Sequence, residues 1–324
     1  MLKRASISPL VSIVIASYRS ALITEACLES IRQCTYPNLE IVLVAQDEHA
    51  EYKLIASKYS NLILIELNGY KGFSKAYNIG INKANGAFIL LLNNDTEVAP
   101  NFIEPMVELF MLNNRAGIVG SKVLYYKDKN RVKFAGSSGI SLFTGRGFTI
   151  GFHETDKPEF EELRPSAFTH GASMMLRREL LEEIGLLPEQ YFLYYEEIDF
   201  CLKALRKNWE VWYCGTSKVF HKEENYAAKQ GFNRTYFLNR NRLLFIRRNA
   251  KGIEKIAAVF FIIFVSFPKN ILKTLVKGNK MEALALFKAL IWNLVNYNVN
   301  KITFLTDDIV SSNSIKPTST LSGH

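Results

Sequence analysis

Acidic residues are in short supply in this chain of 324 residues: 31 Asp and Glu face 40 Lys and Arg, a formal charge of +9 at pH 7. An acidic partner therefore has to be considered, whether nucleic acid, a phosphorylated substrate or an anionic membrane. Cysteine is scarcer still. Cys27, Cys34, Cys201 and Cys214 form no CxxC pair and no His/Cys cluster at zinc spacing, and they read as packing thiols in a reducing compartment. Nine prolines and 18 glycines give neither a collagen period nor a low-complexity tract. No apolar leader with a cleavage site follows Met1, so secretion is not expected. The one long uncharged apolar run is Ile256 to Phe267, closed by Pro268. At about 1.5 Å per residue it falls short of the roughly 20 residues that span a bilayer. Basic flanks (Arg247, Arg248, Lys251 and Lys255 before it, Lys269, Lys273 and Lys277 after it) suit either a buried helix or one lying in a membrane interface. On either reading it does not cross.

What is present is a globular composition, 48% hydrophobic and 22% charged. Short apolar runs at Leu10–Ala16, Leu39–Val44, Leu62–Leu67 and Ala87–Leu92 read as buried strands. Amphipathic stretches at Leu22–Arg32 and Ser74–Asn82 read as helices between them. That alternation predicts an α/β fold with a mostly parallel, helix-covered sheet. The stretch Lys122–Pro165 reads as hairpins and loops, Leu176–Ile184 and Glu197–Lys207 as short helices, and Trp209–Phe220 as a strand. From Gln230 the pattern is helical and basic, and beyond Thr306 it is polar and loose. There is no internal repeat.

Ligands of parallel sheets bind outside the carboxyl ends of the strands, where this chain places Ser17-Tyr18-Arg19, Ala45-Gln46-Asp47 and Asn93-Asn94-Asp95. A carboxylate flanked by amides at such an edge can hold magnesium or manganese beside a diphosphate, and is equally a good turn or helix cap. Tyr194-Tyr195-Glu196-Glu197-Ile198-Asp199 gathers three carboxylates in four positions at a helix start. Helix capping explains them, but crowding would raise a carboxyl into the range of a general base near neutral pH. His221 ends a strand and gains meaning only if it faces Asp95. The loop Asn68-Gly69-Tyr70-Lys71-Gly72-Phe73-Ser74 enters a helix and lets backbone amides approach a phosphate, yet it is neither GxGxxG nor a P-loop.

Taken in order, VSIVIASYRS (Val11–Ser20), CLESIRQCTYPNLEIVLV (Cys27–Val44), NGYKGFSKAYNIGINKANGAFILLLNNDTEV (Asn68–Val98), HGASMMLRRELLEEIGLLPEQYFLYYEEIDFCLKALRKNWEVWYCGTSKVFH (His170–His221) and NRNRLLFIRRNA (Asn239–Ala250) resemble an inverting family 2 glycosyltransferase of the GT-A fold. The nearest resemblance is to the bacterial rhamnosyltransferase-like and galactofuranosyltransferase-like branch that builds cell-surface polysaccharide. It covers roughly Val11 to Ala250. The resemblance implies a GT-A domain over 1–250, with a nucleotide-binding half at about 10–120 and an acceptor half at about 121–250. A helical, membrane-facing appendage at 251–305 and a tail at 306–324 would follow. By position it implies that Ser17, Tyr18 and Arg19 line the base and ribose pocket, and that Gly72, Phe73, Ser74 and the residues to Asn78 border ribose and diphosphate. Asn93, Asn94 and Asp95 stand at the metal motif, with Asp95 and His221 on a Mn2+ or Mg2+ ion. Gly171 and Ala172 would lie beside the donor sugar. Glu197, supported by Glu196 and Asp199, would be the base.

Three positions depart from the family pattern. Ala45 replaces the usual base-contacting Asp, with Asp47 the candidate substitute; Glu197 stands where Asp is usual; Asn93 opens the metal motif. The implied partners are a nucleotide-diphosphate sugar, a glycan or lipid-linked saccharide acceptor and an anionic membrane surface, at the cytoplasmic face of the cell membrane. Competing readings are a catalytically degenerate sugar-nucleotide-binding protein of a membrane complex, and a nucleotidyltransferase. The latter lacks its glycine-rich loop after the first strand. Nucleic-acid binding would need basic and aromatic residues interleaved on a known module, and none appears. The charge itself is local. From Cys201 to Lys280 there are 17 Lys and Arg against four acids, a net of +13 that leaves the rest of the chain at −4.

Overall fold

The computed structural model describes residues 8–47, 50–222 and 231–298. The chain opens with alternating strands and helices: β1 (Val11–Ser17), α1 (Ala21–Arg32), β2 (Leu39–Ala45), α2 (Ala50–Ala56), β3 (Leu62–Glu66), α3 (Phe73–Ile81) and β4 (Phe88–Asn93). The β-branched and leucine runs of β1, β2 and β4 are buried on both faces, which a parallel sheet covered by helices requires. β1 pairs in parallel with β2 (Ser17 opposite Ala45) and with β4 (Ala16 opposite Asn93), so three carboxyl ends finish level with one another. The fold is a mixed α/β sheet, as its sequence pattern predicts.

Beyond β4 come β5 (Thr96–Val98), α4 (Glu104–Leu112), β6 (Ala116–Tyr125), β7 (Val132–Phe134), β8 (Ser137–Ser141), β9 (Arg146–Thr149), β10 (Leu163–Pro165), β11 (Ser173–Arg177), α5 (Arg178–Ile184), α6 (Glu196–Arg206) and β12 (Glu210–His221). The main sheet runs β10-β12-β6-β11-β4-β1-β2-β3, with β5 on β12 and β7 on β6, while β8 and β9 form a separate hairpin. β11 is antiparallel to both neighbours. The segment from Leu176, expected as a helix, is thus a correction: its first two residues finish a strand, and the helix starts at Arg178. Met174, Met175 and Leu176 are fully buried in mid-sheet, and three adjacent apolar residues carry no helical period. Lys122, expected among loops, lies in the second half of the ten-residue strand β6.

Three helices follow: α7 (Gly231–Asn249), α8 (Gly252–Val276) and α9 (Lys280–Val295). α8 corrects the expectation that Pro268 ends the apolar run. A π turn at Ile262–Ser266 precedes Pro268, which sits in the first turn of the segment beyond it, where a missing N–H breaks nothing. The result is 25 continuous residues with a mean hydropathy of 1.7 in the most apolar window, long and apolar enough to cross a membrane by length and composition. Packing gives it a different setting. Ala258, Ile262 and Phe267 are buried in a cluster with Tyr236, Phe237 and Leu286, and Phe143 of the β8–β9 turn stacks on Phe261 at 5.1 Å. Arg242 Nη1 donates to Ser266 Oγ at 3.1 Å. One side of α8 is therefore seated on the body of the protein while the other is open. The polar tail expected beyond Thr306 lies outside the described residues.

Candidate active site

The three level strand ends form the floor of the site. Ser17 is buried, and its Oγ shares hydrogen bonds with Thr24 Oγ1 (2.7 Å) and Tyr52 Oη (2.7 Å). Asn94 Nδ2 donates into the same network, to Ser20 Oγ at 2.7 Å and Thr24 Oγ1 at 3.0 Å. Both residues brace the β1–α1 turn. Tyr18 and Arg19 are held open by that turn: Arg19 is left-handed (φ 51), its N–H donates to Asp47 Oδ2 at 3.0 Å, and its guanidinium lies 5.0 Å from the Tyr18 ring. A cleft of about 760 Å³ is lined by Tyr18, Arg19, Asp47, Glu51 and Gly69, among others. Tyr70 meets Tyr18 at 4.7 Å and Phe192 at 5.4 Å, so an aromatic wall joins the cleft to the later half of the chain.

Gly72 caps α3 and touches the segment before α6. Its φ is +87, and a Cβ there would stand 2.7 Å from both the ring and the carbonyl oxygen of Phe192. Only glycine fits. Phe73 N–H donates to that same carbonyl at 2.7 Å. Ser74 Oγ is buried with no hydrogen-bond partner among the described residues, an orphan hydroxyl at the start of α3. Asn78 ties α3 to the chain after α5: its amide donates to Leu187 O (2.9 Å) and accepts from Leu187 N–H (3.0 Å).

Asp95 and His221 are brought together. His221 Nε2 lies 3.1 Å from Asp95 Oδ1, and Lys133 Nζ lies 2.8 Å from His221 Nδ1. Burial alone would raise the Asp95 carboxyl, but the hydrogen bond and charge of His221, with Lys133 behind, hold it below the ordinary carboxylate value. Asn93 Nδ2 stands 3.4 Å from His221 Nε2, and Tyr77 Oη donates to Asn93 Oδ1 at 3.3 Å. No group of three or more His, Cys, Asp or Glu side chains converges among the described residues. One carboxylate and one imidazole fit a divalent cation whose other positions are filled by diphosphate and water, and do not make a complete protein cage.

Gly171 and Ala172 close the far side. Ala172 O accepts from Asn93 N–H at 3.0 Å, and a Cβ on Gly171 would meet the Phe73 ring at 3.5 Å. His170 Nδ1 accepts from Ala172 N–H at 3.0 Å. Burial, then the nearby Lys133 and His221, push His170 well below the usual histidine value, so it stays neutral. The carboxylate cluster sits next to this turn, because Cys201 of α6 contacts Thr169 Oγ1 at 3.9 Å.

Within the cluster the three acids part company. Asp199 turns back to α7, accepting from Asn249 Nδ2 and from Arg248 Nη2 at 3.3 Å. Glu196 is buried, and burial followed by the charge of Glu197 drives its carboxyl well above the ordinary range; its Oε2 has no hydrogen-bond partner among the described residues. Glu197 is part-buried, and desolvation raises it from 4.5 to about 7. Burial, more than the crowding expected from the sequence, is the leading cause for both. Lys133 and His170 were not singled out individually by sequence reasoning. Lys133 lies in a stretch without period, and nothing local marks it.

The profile of Glycosyl transferase family 2 matches residues 12–185, which carry the three strand ends of the floor and the Gly72 loop. The chain belongs to this family. Its fold is GT-A-like, and its chemistry is glycosyl transfer. It is 26% identical over 263 residues to the low-salt glycan biosynthesis hexosyltransferase Agl10 of Haloferax volcanii, covering 79% of this chain and 81% of that protein. An uncharacterized glycosyltransferase of Haemophilus influenzae is 26% identical over 250 residues, 72% of this chain and 75% of that one. Among solved structures, the mannosyltransferase PcManGT of Pyrobaculum calidifontis, in complex with GDP-Man and Mn2+, superposes with a TM-score of 0.57 at 16% identity over 89% of this chain and 88% of that one. TarS residues 1–349 of S. aureus gives 0.54 at 16% identity, over 86% and 80%.

Proposed function

We propose that this glycosyltransferase inverts the anomeric centre of a nucleotide-diphosphate sugar, delivering it to a hydroxyl of a glycan or lipid-linked saccharide with Glu197 as general base. The observation that carries the reading is the place of Glu197, part-buried in the first turn of α6 behind the aromatic turn, where burial raises its carboxyl. A base raised to about 7 is ionised near neutral pH and can still hold a proton. Glu197 takes the acceptor's proton as the oxygen attacks the anomeric carbon, and a single displacement from the opposite face inverts its configuration. Beside it, burial and the charge of Glu197 raise the Glu196 carboxyl well above the ordinary range. Tyr18, Arg19 and Asp47 hold the base and ribose. Gly72, Phe73 and Ser74 bring the α3 amides and an unsatisfied hydroxyl to the diphosphate side, and Gly171 and Ala172 bound the sugar.

A Mn2+ or Mg2+ ion would be held by Asp95 and His221, together with the donor's diphosphate. When bound, it offsets the charge that develops on the leaving group. The PcManGT and GalNAc-T7 structures contain Mn2+, which supports this reading. The rhamnosyl or galactofuranosyl type follows from the resemblance of the quoted motifs. A panel of UDP-, dTDP- and GDP-sugars read by thermal shift with Mn2+ present tests it, since a ligand of the native state raises its apparent stability. Stabilisation by GDP-mannose alone would overturn the assignment.

The partner on the outer side is an anionic membrane at the cytoplasmic face of the cell membrane. α8 and α9 expose Ile256, Phe260, Phe264, Leu272 and Phe287, bordered by Lys251, Lys269, Lys273, Lys277 and Lys288. An apolar face rimmed by lysine supports a helix pair lying in the interface. The decisive test of the function is Glu197→Gln. Transfer should be lost with donor KM nearly unchanged, and an enzyme retaining more than a small fraction of its turnover would refute the base assignment.

A further inference from the structure

The turn that delivers Glu197 is strained. Phe192 (φ 65), Tyr194 (φ 70) and Tyr195 (φ 80) are three aromatic residues in left-handed conformation within four positions, immediately before α6. Bulky residues do not adopt this backbone unless their surroundings impose it. The imposition comes from α7, some 50 residues later. Asn241 Nδ2 donates to the carbonyl oxygens of Tyr191 (3.0 Å), Leu193 (2.7 Å) and Tyr194 (2.8 Å). Arg240 Nη2 donates to Gln190 O (3.2 Å) and Tyr191 O (2.5 Å), and its Nε donates to Asn241 Oδ1 (2.8 Å). That last bond fixes which way the Asn241 amide faces. Its oxygen is turned to Arg240, so both hydrogens point at the turn.

Arg240 is itself buried, 1% exposed, with its guanidinium 4.5 Å from the Trp292 ring and 4.9 Å from Phe237. Its backbone carbonyl accepts from Asn293 Nδ2 at 3.0 Å. Trp292 and Asn293 belong to α9. A contiguous set of contacts thus leads from the outer helix to the turn before Glu197. Phe192, in the same turn, also receives the Phe73 N–H and fills the space over Gly72. Whatever holds this turn sets the donor-side loop and the base relative to each other.

We propose that Asn241, oriented by Arg240, is the positioning residue for Glu197, and that α9 belongs to the catalytic unit through Trp292 and Asn293. This rests on the reading of Glu197 as base. Neither Arg240 nor Asn241 lines the cleft; they act through the backbone they hold. In Asn241→Asp the shape is kept and the bond from Arg240 remains available, but an oxygen faces three carbonyl oxygens. The strained turn then loses its donors.

The experiment is Asn241→Asp in the full chain, with hydrogen–deuterium exchange, steady-state kinetics and a kcat–pH profile. The expected result is faster exchange confined to Tyr191–Glu197 and kcat lower by about 100-fold, the cost of a misplaced catalytic group, with donor KM within a few-fold. The pH midpoint should also move from that of the parent. Asn293→Ala, milder because it leaves Asn241 in place, should show the same signature at smaller size and serves if Asn241→Asp does not fold. Unchanged exchange and unchanged kcat overturn the proposal. Loss of donor binding in step with kcat, or faster exchange across the whole sheet, also overturns it, since either marks a residue that only supports folding. Failure of the base reading looks different: Glu197→Gln would keep its transfer, while exchange at the turn would still decide whether Asn241 holds it.

Discussion

Replacing Glu197 by Gln should stabilise the protein while destroying transfer, and the two effects have one cause. Its carboxyl moves from an ordinary 4.5 to about 7 on folding, chiefly through burial. The folded chain therefore prefers the protonated form. Full stability on this account is present below pH 4.5, is lost as pH rises toward 7, and stays lost above. At about 1.4 kcal/mol per pH unit, the charged carboxylate costs the folded state about 3 kcal/mol at pH 8.5. Gln is neutral throughout and escapes that cost. Thermal melts of the parent and Glu197→Gln at pH 5 and pH 8.5 should show little difference at the lower pH. At the higher pH the variant should gain on the order of 5 °C. The parent's turnover should rise through about pH 7 and level off above it, as a base of that value requires. Glu196→Gln separates the neighbours: it removes a carboxyl that burial raises well above the ordinary range, and should leave transfer within a few-fold. A gain of equal size at both pH values, or a loss at pH 8.5, would refute the reasoning, because burial would then not be what raises Glu197.

Gly72→Ala forces a left-handed alanine against the Phe192 ring and carbonyl; a cost of about 1–3 kcal/mol is expected in thermal melts, with a raised donor KM. Thorough chelation by EDTA should abolish transfer and added Mn2+ or Mg2+ restore it, while Asp95→Asn should need far more cation for the same rate; undiminished transfer after chelation would refute the cation site. Flotation with phosphatidylglycerol vesicles should carry the parent and not a Phe260→Glu, Phe264→Glu double variant, and equal flotation of both would remove the exposed face of α8 as the contact.

The strands whose ends build the floor were legible because β1, β2 and β4 are continuous apolar runs bounded by polar turns. β11 was not, since a short buried strand leading directly into a helix offers no period of its own. α8 was misjudged in length because proline reads as a stop, whereas the π turn before Pro268 removes the clash that would make it one. In the site, Asp95 and His221 were legible as types at strand ends, and their meeting required the fold. Ser17 and Asn94 were legible as polar residues at strand ends, while their hydrogen bonds to Thr24, Ser20 and Tyr52 are set by the fold. Arg240 and Asn241 lay within a recognisable motif, yet their partners are backbone carbonyls, which every residue possesses and no pattern marks.

The basic surplus is divided by the fold in a way the count alone conceals. Several arginines between Cys201 and Lys280 do not meet anions. Arg206 donates to the Asn249 carbonyl, Arg240 to Tyr191, Arg242 to Thr144 and Arg247 to Asn293 and Asn296. These guanidinia substitute for backbone partners where loops meet helices, and burial lowers Arg240 and Arg242 to about 10. The charge left for an external anion in that stretch is mostly lysine on α8 and its ends, beside the exposed apolar face. Among the residues lining the cleft, Arg19 is the one base. On the diphosphate side the Asp95 carboxylate adds negative charge and Lys133 lies against His221. The chelation experiment should therefore show a steep dependence on the divalent ion, and the lysines of α8 should affect flotation without changing donor KM.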